Sequence, residues 1–403
     1  MEKIDGGVTA AKGFLASGIH CGIRKNKSKK DLALIVSDRL CTASAVYTTN
    51  LVKGAPLLVT QKNLADGYAQ AIICNSGNAN TCNANGKEIA ENMCELIAEF
   101  TKIPKENVIV ASTGVIGQKM DIAPIKNNIG ALIGSLGKFS SDANQAIMTT
   151  DTIEKSSAYS FSAGGKKCVI GGIAKGSGMI HPNMATMLVF LTTDVNISKA
   201  MLDKAIKDDV KTSFNMISVD GDTSTNDMMC ILANGEANNK TITKAGEDYD
   251  NFTEALNKVT TDLCRLIASD GEGASKLLEC NVVNAKDTLS AQKVAKSVVC
   301  SNLLKCAMFG SDANWGRVLC AIGYSGAEIN VEKTDVAFKS KAGCVTVCKG
   351  GYGIAYSEEA AKKILLEKEI DIQINLNDGA FSATAWGCDL TYDYVKINGD
   401  YRT

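Results

Sequence analysis

Histidine is nearly missing from this sequence. Only His20 and His181 occur in 403 residues. A Ser-His-Asp or Cys-His mechanism would have to be built on one of them, and a zinc site would need cysteine or carboxylate ligands instead. Chemistry that manages without imidazole is therefore favoured. Net charge is missing too: 43 Lys+Arg stand against 44 Asp+Glu, a formal −1, so no global field draws in nucleic acid or an anionic membrane. The basic run from Arg24 to Lys30 is seven residues long and reads as a solvated loop between strands. No apolar run reaches the roughly 18–20 residues of a membrane span. The opening MEKIDGG lacks the apolar core of a signal peptide, so a cytoplasmic protein is expected. Proline is scarce, 4 against 36 glycines, which points to tight turns inside a compact body. No repeat and no low-complexity linker appears.

What is present is ordinary for a folded chain: 45% hydrophobic and 22% charged residues. The length suits two or three domains or one large α/β body. Fifteen cysteines occur without a CxxC pair or metal-ligand spacing. In a reducing compartment they read as small buried hydrophobes, not disulfides or zinc ligands. Runs rich in β-branched residues predict strands over 31–38, 43–49, 70–74, 107–112, 169–173 and 186–193, and later 345–347, 370–376 and 381–391. Helical spacing predicts helices over 86–100, 122–136, 199–214, 249–268 and 291–308. This irregular alternation suggests a layered α/β sandwich, not a barrel, with a smaller C-terminal α/β lobe beginning near 281–286.

Two motifs fail on their chemistry. Gly164-Gly165-Lys166-Lys167 lacks the Ser/Thr that follows a phosphate-loop lysine. The oxygen-rich run from Asp220 to Asp227 has Ile231 where a calcium loop needs its glutamate, and is expected to be a hydrogen-bonded loop. Likewise Asn75-Ser76-Gly77-Asn78-Ala79-Asn80 reads as a polar turn.

The stretch KGSGMIHPNMATM, Lys175 to Met187, carries the sharpest possibility. Thr186 follows a small residue, Ala185, and the loop before it holds Gly176, Gly178 and Pro182, which supply freedom and constraint together. A threonine hydroxyl there can attack the carbonyl of residue 185 through a five-membered ring. Once the chain breaks, its own α-amine, with a pKa of roughly 7.7–8.0, can act as general base for the hydroxyl. No histidine is required. From the residues alone this is only permissible, since a threonine opening a buried strand is more often purely structural.

KGSGMIHPNMATM resembles the processing segment of the ornithine/glutamate N-acetyltransferase family of arginine biosynthesis. DGGVTAAKGF, NSGNAN, ASTGVIG, MTTDT, SVDGDTSTND, GSDANWGR and INGDYRT resemble that family's pattern in the same order along the chain. The resemblance implies cleavage of the Ala185-Thr186 bond into residues 1–185 and 186–403, with Thr186 as nucleophile and Thr113 and Gly114 facing the oxyanion. Thr149, Lys175, Thr186, Glu272, Asn398 and Thr403 match substrate-contacting positions, although the run Thr149-Thr150-Asp151-Thr152 does not itself choose among its threonines. It further implies an N-terminal-nucleophile-like site in a four-layer α/β sandwich and an α2β2 assembly of cleaved fragments. The reaction would be a ping-pong transfer of acetyl from N2-acetylornithine to glutamate, with acetyl-CoA as a possible second donor and neither metal nor organic cofactor. Two alternatives share the fold: an N-terminal-nucleophile amidase or aminopeptidase, and a non-catalytic binding protein.

Overall fold

The computed structural model describes residues 1–181 and 187–400. The expected strand start and the bond at Ala185-Thr186 lie outside the described residues, as does Thr403. The chain divides into two compact units. The first comprises Met1–Gly176, residues 187–214 and Thr223–Leu263. The second comprises Ser177–His181, Asn215–Asp222 and the chain from Cys264 onward.

The first unit is built on a mixed nine-stranded sheet. Its order is Glu2–Ile4, Lys155–Ala163, Lys166–Lys175, Leu188–Thr193, Met228–Ala233, Leu32–Tyr47, Tyr68–Asn78, Val108–Val115, with Phe14–Ile19 pairing onto Leu32–Tyr47 off this path. Strand periodicity sorts its side chains into two cores. Ala33, Ile35, Ile72, Cys74, Ile109 and Ala111 join one with Phe190 and Cys230. Leu32, Leu34, Ala71, Ile73, Val108 and Val110 join the other. Helix Gly86–Phe100 closes the second core with Ile89, Met93 and Ile97, and helix Ala123–Gly134 adds Ile125, Ile129 and Leu132. With apolar cover on both faces, Leu188–Thr193 and Met228–Ala233 are buried at every position.

The second unit holds a seven-stranded sheet in the order Tyr352–Gly353, Gly343–Lys349, Asp335–Ser340, Glu369–Asn375, Leu277–Ala285, Phe381–Cys388, Ile217–Ser218. Here both faces are covered only toward Leu277 and Cys388, where consecutive residues are buried. Strand Glu369–Asn375 alternates buried Ile370, Ile372 and Ile374 with wetter Asp371 and Gln373, and helix Thr288–Cys300 buries Val294, Ala295, Val298 and Val299.

The architecture is the expected layered α/β. Several boundaries differ, for physical reasons. The two strands expected over 31–49 are one, Leu32–Tyr47, whose charged middle falls at a register shift between Val36 and Cys41. Asn75–Asn78 is not a turn but the end of strand Tyr68–Asn78, because the asparagine side chains supply the missing backbone partners. The helix expected over 291–308 is broken at Ser301, whose hydroxyl accepts from Leu304 N and caps a new helix, Asn302–Phe309. Met228–Ala233 was not anticipated; six apolar residues carry no period that separates strand from helix. Residues 281–286, expected at a lobe boundary, fall at the end of strand Leu277–Ala285 within the second unit.

Most cysteines are buried and all fifteen are free thiols, as expected; burial pushes Cys21 and Cys41 up to about 12. No described helix is long and apolar enough to cross a membrane.

Phe190 has no exposed surface and sits in the first core. Phe190→Ala is expected to cost about 3–5 kcal/mol, read as a lowered urea midpoint at unchanged m-value.

Candidate active site

Thr113 and Gly114 lie inside strand Val108–Val115, at the sheet edge paired to Ser76 and Gly77. Gly114 has φ +128°, and a Cβ there would sit 2.4 Å from the Gly77 carbonyl carbon. Both the backbone angle and the clearance therefore demand glycine. The neighbouring asparagines hold this turn of backbone. Asn226 uses its whole amide: Nδ2 donates to Ser112 O at 2.9 Å and Ala79 O at 2.6 Å, while Oδ1 accepts from Thr81 and Thr225 hydroxyls at 2.6 and 2.5 Å. Ser112 Oγ donates to Asn75 Oδ1 at 2.6 Å, and Asn75 Nδ2 to Asn78 O at 2.9 Å. NSGNAN and the Thr225-Asn226 part of the acidic loop are thus framework for the Thr113-Gly114 backbone.

Lys175 ends strand Lys166–Lys175 and is only 8% exposed. Its Nζ donates to Thr113 Oγ1 at 3.4 Å. A hydroxyl that accepts from an ammonium keeps its own proton free to donate elsewhere. Burial pulls the Lys175 pKa down, and the Asp151 charge opposes that. Asp151, absent from the expected site, is the centre of the cluster. Its Oδ1 accepts from Lys155 Nζ at 2.8 Å and Gly176 N at 2.7 Å, and its Oδ2 from Thr149 N at 2.8 Å. Burial alone would raise its pKa; the Lys175 and Lys155 charges outweigh it and hold the carboxyl well below the usual range. The MTTDT motif contained this aspartate, and Lys155 four residues on was the available signal.

In the second unit Glu272 is 7% exposed. Asn398 Nδ2 donates to its Oε2 at 2.8 Å, and the carboxylate lies so close to Gly178 that an added Cβ would meet it at 2.3 Å. Asp220 Oδ2 accepts from Met179 N at 2.6 Å and its Oδ1 from Ile180 N at 2.9 Å, so this acidic loop is hydrogen-bonded as expected. His181 Nδ1 meets Ser218 Oγ at 3.0 Å, with Cys300 Sγ at 3.6 Å. Burial, then Lys296, lowers its pKa to about 4.

The structure thus links Thr149 and Lys175 to Asp151 and Lys175 to Thr113, next to Gly114, in one unit, and Glu272 to Asn398 in the other. Among the described residues no group of three or more His, Cys, Asp or Glu side chains is placed to hold a metal.

These features define a layered α/β protein whose larger sheet carries Thr113 and Gly114 on its edge strand, with the buried Lys175 ammonium against the Thr113 hydroxyl. The sequence pattern of the ArgJ family matches residues 15–403. The arginine biosynthesis bifunctional protein ArgJ of Caldanaerobacter subterraneus subsp. tengcongensis is 52% identical over 405 residues, covering 100% of both chains. A crystal structure of the arginine biosynthesis bifunctional protein ArgJ from Bacillus halodurans is 46% identical, with TM-score 0.50, over 52% of this chain and 97% of that one. An ornithine acetyltransferase from Mycobacterium tuberculosis, complexed with ornithine, is 32% identical over 44% of this chain and 96% of that one, with TM-score 0.40. The chain belongs to the ArgJ family.

Depression of the His181 pKa means that the unfolded chain binds its proton first as pH falls. The associated stability is full above about pH 6.5 and is lost as pH drops toward about 4. His181→Gln is expected to show a shallower loss of urea midpoint between pH 7 and pH 4 than the wild type.

Proposed function

We propose that the chain cleaves itself between Ala185 and Thr186 and then acts as a glutamate N-acetyltransferase of arginine biosynthesis. End-to-end 52% identity to a bifunctional ArgJ protein carries this reading. Cleavage has separate support: 52% of this chain accounts for 97% of the solved Bacillus halodurans chain, which is therefore about half as long.

Processing begins when Thr186 Oγ attacks the Ala185 carbonyl carbon. The hydroxyl proton passes to the Thr186 nitrogen as the C–N bond breaks, leaving an Ala185 ester on Oγ. Water hydrolyses that ester, giving the Ala185 carboxylate and a free N-terminal threonine. In turnover the new α-amine takes the Oγ proton while Oγ attacks the acetyl carbon of N2-acetylornithine. Ornithine leaves with that proton, and the acetyl-threonine ester passes its acetyl group to the amine of glutamate.

Each acyl step creates an oxyanion. The Gly114 N–H and the Thr113 hydroxyl, left free to donate by Lys175, are the donors, each worth about 3–4 kcal/mol in such a role. Lys175 and Glu272 supply the opposite charges that a zwitterionic amino acid requires, with Thr149, Asn398 and Thr403 completing its contacts. The bifunctional designation of the relatives favours acetyl-CoA as a second donor. The working enzyme is proposed to be a cytoplasmic α2β2 assembly of the two fragments, using neither metal nor organic cofactor.

Intact-mass measurement with N-terminal sequencing tests the bond itself. Two fragments, the second starting at Thr186, are expected from the wild type, and one uncleaved, inactive chain from Thr186→Ala. A wild-type chain that stays whole would overturn the reading. Transfer is tested separately by following ornithine release from N2-acetylornithine. Release is expected to rise steeply on adding glutamate, whereas glutamate-independent release would indicate the hydrolase alternative.

A further inference from the structure

The acidic loop splits between two tasks. Thr225 and Asn226 serve the Thr113-Gly114 backbone, while Ser218, Val219 and Asp220 grip the segment leading toward the proposed cleavage point. Within the second unit, residues Ser177–His181 are held at nearly every position. Ser177 Oγ donates to Asp270 O at 2.6 Å, and Glu272 N donates to Ser177 O at 3.0 Å. Val219 N donates to Ile180 O at 2.7 Å, and His181 Nδ1 meets Ser218 Oγ at 3.0 Å.

Met179 is the unusual residue of this segment. Its φ is +56°, left-handed for a residue that is not glycine, a strained arrangement that persists only where surroundings impose it. The imposing group is Asp220. Its two oxygens capture the successive N–H groups of Met179 and Ile180, at 2.6 and 2.9 Å. Charge-assisted bonds of this kind are the strong ones. Met179 is itself 42% exposed, so packing of its own side chain is not what holds the backbone there.

We propose that Asp220 is a positioning residue for self-cleavage: it fixes Met179, six residues ahead of Ala185 in the sequence, in the left-handed conformation. This rests on the self-processing reading above. The carboxylate touches no reacting atom. It removes a conformational search that the attacking hydroxyl would otherwise await, which is how geometry far from the chemistry alters a rate.

The test follows fragment appearance over time on denaturing gels during cell-free synthesis of the full chain. Asp220→Ala is expected to slow cleavage at least about tenfold. Asp220→Asn, which keeps the side-chain size and one acceptor oxygen, is expected to fall between it and the wild type, and serves where the alanine variant does not fold. Adding Met179→Gly to either variant should recover a large part of the lost rate, because glycine takes positive φ without strain. A residue needed only for general stability would not be rescued this way. Cleavage of either Asp220 variant at the wild-type rate, or absence of rescue by Met179→Gly, would overturn the proposal. A wild-type chain that never cleaves would instead overturn the self-processing reading.

Discussion

A carboxylate without access to water governs the larger unit. Asp151 and Lys155 form a 2.8 Å pair whose side chains have no exposed surface. Taking such a pair out of water costs several kcal/mol per ion, and Coulomb attraction repays it only with good geometry and satisfied lone pairs. Asp151 meets that condition by accepting from Gly176 N and Thr149 N as well. These are the backbone beside Lys175 and the backbone of the threonine run. One desolvated charge thereby fixes two stretches that would otherwise be free loops. The same charge sustains Lys175, whose ammonium burial disfavours.

Around that charge the polar motifs act as framework. Ser112, Thr113 and Gly114 need a backbone course that ordinary pairing does not provide, since the register shifts at Gly77 and Asn78. A buried backbone group left unpaired costs about as much as a lost hydrogen bond. Asn75, Asn78, Asn80 and Asn226 remove that cost with side-chain amides. Asparagine suits this work because it donates and accepts without charge, whereas a second carboxylate there would add to the desolvation burden borne by Asp151. The richness of NSGNAN and STND in short polar residues is thus a consequence of a bulged sheet edge.

This explains which parts were legible in the sequence. Helices Gly86–Phe100 and Glu247–Ser269 announced themselves through period and length, because one face of each meets a core. Met228–Ala233 did not: it lacks alternation and has one β-branched residue, Ile231, where the equally buried and recognisable Leu188–Thr193 has three. Thr113, Gly114, Lys175, Glu272 and Asn398 are proposed on family resemblance, and the structure shows what surrounds each: Lys175 on Thr113, Gly77 against Gly114, Asn398 on Glu272. Asp151, Lys155 and Asp220 were not singled out for the site. Their importance arises from burial and from backbone groups distant in sequence, such as Gly176 N for Asp151 and Met179 N for Asp220, and no local pattern encodes that.

The shortage of histidine then acquires a structural counterpart. His181 is the histidine nearest in sequence to Thr186. Burial lowers its pKa to about 4, far below the value near working pH that general-base catalysis favours. That disfavours His181 as a base for acyl transfer, whereas an N-terminal amine is intrinsically close to the favoured value. Under the proposed mechanism, that amine exists only after the chain has cut itself. Processing would therefore create the catalytic base as well as exposing the nucleophile. On that view the uncut chain is inert for lack of a base, which makes the geometry that controls cutting, Asp220 and Met179 included, a determinant of activity even though none of it would touch the acetyl group.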